Sequence, residues 1–244
     1  MALATPEICL DCGASLSGAH CSACGQRVES PIQPLAAFLR DAVSEFLSLN
    51  GRLFTGLRDV ALKPGFLTAE FLAGHRTRHL HPVRLLLAAG LVAFLASLLM
   101  PEDADGFLVA ATRAVLGDAP NVASVIAAVA MLFVATTSQR FVYRKSGRVF
   151  VEHVVLLLHT TSFAMLLTPL EVVALHLFPS DRPVAGTSSF VVAPLVAVYW
   201  ILALRDVFGD RLETTILKAG LTVVLATGVG LALLFTAYGI STVS

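Results

Sequence analysis

Five apolar runs limit what this chain can become: PVRLLLAAGLVAFLASLLM (82–100), VASVIAAVAMLFVATT (122–137), VFVEHVVLLLHTTSFAMLL (149–167), FVVAPLVAVYWILAL (190–204) and TTILKAGLTVVLATGVGLALLFTAY (214–238). Most approach or exceed the ~18–20 residues that cross a ~30 Å hydrocarbon layer as a helix. A soluble domain carries about a quarter charged residues. Here the charged share is 14% and mean hydropathy is +0.80. The expected fold is an all-α polytopic membrane protein with about five transmembrane helices. The spans are expected near Val83–Met100, Val122–Ser138, Val151–Thr168, Val184–Leu204 and Thr214–Tyr238. Pro169 should interrupt the third, and Pro194 lies inside the fourth.

All four cysteines fall at the start of the chain, as C-L-D-C-G from Cys9 to Gly13 and C-S-A-C-G from Cys21 to Gly25. Two thiolates at C-x2-C spacing can grip one tetrahedral metal ion on a tight turn, with Zn–S near ~2.3 Å. A glycine after the second cysteine permits positive φ, so backbone amides can point at the sulfurs. Disulfides would need an oxidising compartment. Cys9, Cys12, Cys21 and Cys24 are therefore expected to hold structural Zn2+, with no open position for catalysis. His20, beside Cys21, is expected to face solvent.

Residues 1–28 are thus read as a zinc-ribbon-like domain and 29–34, with two prolines, as a linker. Residues 35–81 read as interfacial helices. In LAAFLRDAVSEFLSLN, Leu35, Phe38, Leu39, Ala42, Val43, Phe46 and Leu47 share one helical face. RLFTGLRDVAL and FLTAEFLAG follow, separated by Lys63-Pro64-Gly65. Their apolar faces need lipid or the underside of a bundle. Residues 82–244 form the five-helix bundle.

Charge sets the orientation. Arg140, Arg144, Lys145 and Arg148 lie between spans two and three, and Arg205, Arg211 and Lys218 lie around the turn between spans four and five. The other two inter-span loops hold one basic residue each, Arg113 and Arg182. Lysine and arginine favour the cytoplasmic side, so the N terminus is expected in the cytosol and the C terminus outside. Tyr143, Tyr199 and Trp200 would mark the inner interface and Tyr238 the outer. MALATPEICLDCG has neither a basic nor an apolar leader region, so the first span should itself direct insertion. A net charge of zero argues against nucleic acid as a partner.

Two polar groupings stand out. GHRTRHLHPVR places His75, Arg76, Arg78, His79, His81 and Arg84 at the cytosolic edge of the first span. They form either a headgroup or phosphate contact or a solvated basic collar anchoring the helix. With no carboxylate near in sequence, a metal site at these histidines is not expected. Within the third span, Glu152 and His159 are seven residues apart and share a face, His159 lying ~12 Å beyond Val151. With Thr160 and Ser162 they form either an ion or proton relay or a hydrogen-bonded lock between helices. Glu171 and His176, past Pro169, are expected to meet water.

The layout resembles a family of uncharacterised bacterial membrane proteins, a domain of unknown function with a zinc-ribbon-like start. The likeness rests on CLDCG…HCSACGQ and on GLRDVALKPGFLTAEFLAGHRTRHLHPVRLLL, spanning about residues 9–90. Arg58, Pro64, Gly65, Gly74, Arg76 and Pro82 match the family's pattern, while His79 or Leu80 stands where an aromatic is expected. The resemblance implies this architecture and a bacterial inner-membrane location, and no mechanism.

The functional expectation is a non-enzymatic inner-membrane platform on which a protein partner or membrane lipid docks. The alternatives are a small transporter using the third span's polar residues and a lipid-modifying enzyme built on GHRTRHLHP.

Overall fold

The computed structural model describes residues 8–26, 52–99, 122–177 and 185–241. The linker 29–34, the amphipathic stretch 35–48, Arg113, Arg182 and the side chain of Tyr238 lie outside the described residues.

After a cysteine-bearing segment, 8–26, the chain runs α1 (Arg52–Leu62), α2 (Phe66–Ala73), α3 (Pro82–Ser97) and α4 (Val122–Val142). A short 3-10 turn at Arg144–Ser146 leads to α5 (Phe150–Leu166) and α6 (Thr168–Leu177). Two long helices close the order, α7 (Ala185–Phe208) and α8 (Leu212–Ser241). Among the described residues there is no strand, only an isolated antiparallel bridge between Ile8 and Ser15.

Helices stand at all five expected span positions. Two stretches among the described residues are long and apolar enough to cross a membrane: Phe150–Leu177 and Leu212–Ala232. Pro82–Ser97 and Val129–Val142 are shorter apolar helices. Pro82 opens α3 at its first turn, where its missing N–H costs no hydrogen bond. Pro169 stands in the first turn of α6, so the third span is interrupted at Leu167, close to where it was expected, while the apolar stretch runs on to Leu177.

α5 is the axis of the packing. It lies against α1, α2, α3, α4, α6 and α7. Leu85 and Leu156 are fully buried in a core that also takes Val60, Leu67, Ala203 and Leu204. Burying one such leucine contributes about 1.5–3 kcal/mol.

α1 and α2 are built into this core. In α2, apolar side chains surround most of the helix, and Leu67, Thr68 and Phe71 are buried against the bundle. A helix apolar all round needs cover on more than one side, which α5 and α7 supply. Gly65, at φ 80°, starts α2 pressed against α7: a Cβ there would meet Asp206 Cβ at 2.8 Å and Ala203 Cα at 3.1 Å.

Tyr199 ties α1 down. Its hydroxyl donates to Val60 O at 2.7 Å, satisfying one of the carbonyls a helix leaves unpaired at its C-terminal end. Its ring stacks on Phe163 at 3.8 Å. Tyr199 and Tyr143 are thus both buried, contrary to the expectation of an interfacial aromatic belt. The core recruits both rings by stacking, Tyr143 on Phe208 at 4.1 Å as Tyr199 on Phe163.

Candidate metal centre

Two backbone turns of the same geometry hold the cysteines. Gly13 N–H donates to Cys9 O, and Gly25 N–H to Cys21 O, each at 2.9 Å. Cys9 N–H donates to Ala14 O, and Cys21 N–H to Gln26 O. Both glycines take φ 76°, as the repeated C-x2-C-G pattern requires.

These turns bring Cys9, Cys12, Cys21 and Cys24 together with all four sulfurs within 4.8 Å of one another, so the group could hold a metal ion. Cys9 Sγ lies 3.6 Å from Cys24 Sγ, and Cys12 Sγ 3.5 Å from Cys21 Sγ. A disulfide needs about 2.05 Å. A tetrahedron with ~2.3 Å metal–sulfur bonds has edges of about 3.8 Å. The spacing fits the second arrangement.

The thiols themselves are in electrostatic conflict. Backbone N–H groups of Cys24 and Ala23 draw Cys21 down to about 7. A backbone bond from Gln26 draws Cys24 down too, but burial and the neighbouring sulfurs outweigh it and drive that thiol up to about 12. Packed this closely, the four sulfurs together resist carrying several negative charges at once. A divalent cation would relieve that conflict by binding all four as thiolates.

The knot is seated on the segment that begins at Gly74. Asp11, between the first pair of ligands, is only 5% exposed. Its carboxylate accepts from Thr77 Oγ1 at 2.6 Å and pairs with Arg78 Nε at 3.4 Å, and Arg78 also donates to Asp11 O. Gln26, just past the second pair, donates to Gly74 O at 2.8 Å. Leu10 closes over Gly74, where a Cβ would meet Leu10 Cδ1 at 2.8 Å. Gly74 itself sits at φ 98°.

This seating changes the reading of the basic segment 75–84. Arg78 clamps the knot, Arg76 lies 5.0 Å over the Phe71 ring, and His81 and Arg84 are buried. Only part of the group is open to solvent, so a fully solvated collar is not what the fold makes of it. His81 stacks edge-on to Phe71. His75 Nδ1 and His79 Nε2 both approach Glu70 Oε2, at 2.9 Å and 3.5 Å. A carboxylate therefore does lie close to these histidines, contrary to expectation: Glu70, five residues before His75 on α2.

The third-span residues separate. Glu152 accepts from Val149 N–H at 2.7 Å and from Arg148 Nη1 at 3.0 Å, so it caps the start of α5. His159 is 4% exposed and its Nδ1 meets Thr68 Oγ1 of α2 at 2.8 Å. Thr160 and Ser162 return their hydroxyls to the carbonyls of Leu156 and Leu158. Glu152 and His159 therefore engage different partners, Glu152 at the start of its own helix and His159 across on α2. Glu171, expected in water, is 1% exposed because α6 packs against α3 and α7. His20 and His176 are exposed.

A family model described as a protein of unknown function (DUF3667) matches residues 50–94. No curated protein and no solved structure matches the chain. The matched stretch covers α1, α2, the knot's seat at 74–78 and most of α3. It holds Thr68, which reaches the interior at His159, and Thr77 and Arg78, which reach the knot.

Proposed function

We propose that the chain is a five-span protein of a bacterial inner membrane whose zinc-loaded tetrathiolate knot is a cytosolic docking platform, without enzymatic activity of its own. The observation that carries this reading is the clamp on Asp11. A buried carboxylate held by Thr77 and Arg78 makes the knot a fixed part of the folded surface. A rigid head presents one shape to a partner and loses little entropy on binding.

Several features support the membrane setting. Large apolar side chains point outward along α3 (Leu87, Leu91, Phe94) and α8 (Leu217, Leu221, Val224), an exposure that water does not favour but lipid does. Basic residues cluster near the turns between α4 and α5 and between α7 and α8, which by the positive-inside rule supports a cytosolic side for these turns and the knot. There thiolates stay reduced and available to zinc. The lipid or protein recognised would meet the knot's outer face, where Ser22 and Ala23 are exposed.

Purification of the full chain in mild detergent tests the reading, with metal analysis and mass spectrometry of co-eluting material. The expected result is zinc at one per knot, with a recurring companion or lipid that is lost when residues 1–26 are removed. An unchanged set of companions after that removal overturns the platform.

A further inference from the structure

We propose that the adjoining turns between α4 and α5 and between α7 and α8 form a binding surface for anionic phospholipid, with Arg144, Lys145 and Arg211 as its cations. The proposal rests on the membrane setting given above and is independent of the docking role of the knot.

The two turns are joined by their own side chains. The Tyr143 ring stacks on Phe208 at 4.1 Å, and Arg148 Nη2 donates to Val207 O at 2.9 Å. Lys218 Nζ donates to Asp210 Oδ2 at 2.6 Å and lies 4.8 Å from the centre of the Tyr143 ring. Structure therefore consumes two of the cations here, since Arg148 also pairs with Glu152 at 3.0 Å. Arg140 and Arg205 stand in the last turns of α4 and α7, where the helix dipole favours a positive charge. That leaves Arg144, Lys145 and Arg211. All three are exposed, and among the described residues none pairs with an acid. Of the acids nearby, Glu152 and Asp210 are already paired, Asp206 packs beside Gly65, and Glu213 sits in the first turn of α8.

Apolar surface adjoins these cations. Phe141 is 58% exposed, and the Arg144 guanidinium lies over its ring, 5.2 Å from the centre. Leu212, Ile216 and Leu217 follow Arg211 along α8 and are exposed too. α4 and α8 pack against each other, and Phe133 and Leu221 carry the apolar exposure away from the turns. Arginine meets a phosphate through parallel N–H donors, and lysine through a point charge. A lipid phosphate held at the turns leaves its acyl chains beside these apolar side chains. Free phosphate would use the cations and leave that flank uncovered, whereas an anionic phospholipid covers both.

The basic segment 75–84 offers less to a headgroup. Arg78 is spent on Asp11, His79 approaches Glu70, and His81 and Arg84 are buried. The free positive charge lies instead at the two turns. Each lysine or arginine at an anionic surface strengthens association about fivefold, so three together give about a hundredfold.

Native mass spectrometry of the full chain in mild detergent tests the proposal, with phosphatidylglycerol and phosphatidylethanolamine offered at equal concentration. The expected result is a preferred phosphatidylglycerol adduct that weakens about a hundredfold when Arg144→Gln, Lys145→Gln and Arg211→Gln are combined. Arg144→Lys with Arg211→Lys keeps the charge and should keep most of the adduct. Thermal unfolding unchanged from the unaltered chain shows that the variants are folded. Equal retention of the two lipids overturns the proposal, and so does a preference that survives the triple substitution, since the lipid then binds elsewhere. Displacement of the adduct by inorganic phosphate overturns the choice of lipid over the free anion. A chain that stays monodisperse without detergent would instead sink the membrane setting on which the proposal rests.

Discussion

Thr68 Oγ1 and His159 Nδ1 lie 2.8 Å apart, both buried, although the residues are 91 positions apart in the chain. The pair joins α2 to the middle of α5. Removing the hydroxyl leaves a buried imidazole nitrogen without its partner, which costs about 1–3 kcal/mol. Thr68→Val, which keeps the shape, should lower thermal stability in detergent by that amount. His159→Leu in the same background should restore part of the loss. Additive losses in the double variant would rule out a direct coupling.

Asp11→Ala should separate metal binding from docking. The four sulfurs keep their turns, so zinc content stays at that of the unaltered chain. The clamp to Thr77 and Arg78 is lost, and a hydrogen bond to a charged group contributes about 1.5–3 kcal/mol. Hydrogen exchange at 74–78 should rise markedly while exchange in α5 is unchanged. Equal protection at 74–78 in the variant would show that Leu10 and Gln26 suffice.

Gly65→Ala is expected to be more damaging than an average glycine substitution. The backbone at φ 80° already disfavours a side chain, and the new methyl would meet Asp206 Cβ and the Ala203 backbone of α7. A strained backbone of this kind costs about 1–3 kcal/mol before the clash is counted. The measurement is thermal unfolding beside Gly147→Ala, where φ is 72° but nothing lies within 4 Å. Equal losses in the two would mean that contact with α7 contributes nothing.

Metal retention by the knot should weaken as pH falls. Cys21 is held down to about 7, so its thiolate begins to take up a proton as pH drops through neutrality. Protons then compete with the cation for sulfur, and each thiolate regained by a proton lowers affinity. Affinity goes on rising above neutrality, because burial and the neighbouring sulfurs keep the Cys24 thiol protonated until much higher pH. Zinc release followed with a chromophoric chelator from pH 8 down to pH 5 checks the sign; release that grows with rising pH would contradict it.

The cysteine site was legible in the sequence because its closure is local. Each C-x2-C-G turn is set by neighbouring residues, and the two turns differ only in which side chains they carry. The positions of the long helices were legible for the same reason, since an apolar run declares itself without reference to the rest of the chain. Long-range partners were not. Nothing in FLTAEFLA announces that Thr68 meets His159, or that Glu70 meets His75 and His79 after the chain turns at Gly74. Glu152 and His159 share a helix face by spacing, yet the helix start claims the first and α2 claims the second. Tyr199 and Glu171 looked interfacial because polarity is visible in a sequence and burial is not. The signal that could have placed α2 in the core is its near-complete ring of apolar residues, too uniform for a helix lying on a surface.

α2 is only eight residues long, and a left-handed glycine stands at each end. Gly65 is wedged against Asp206 and Ala203, while Gly74 lies under Leu10 of the cysteine knot. Such a short rod, butted at both tips, has no slack along its axis. The packing of the cysteine turns and the packing of the C-terminal end of α7 thus share one spacer, and a side chain added at either glycine would be felt at that end of the rod first.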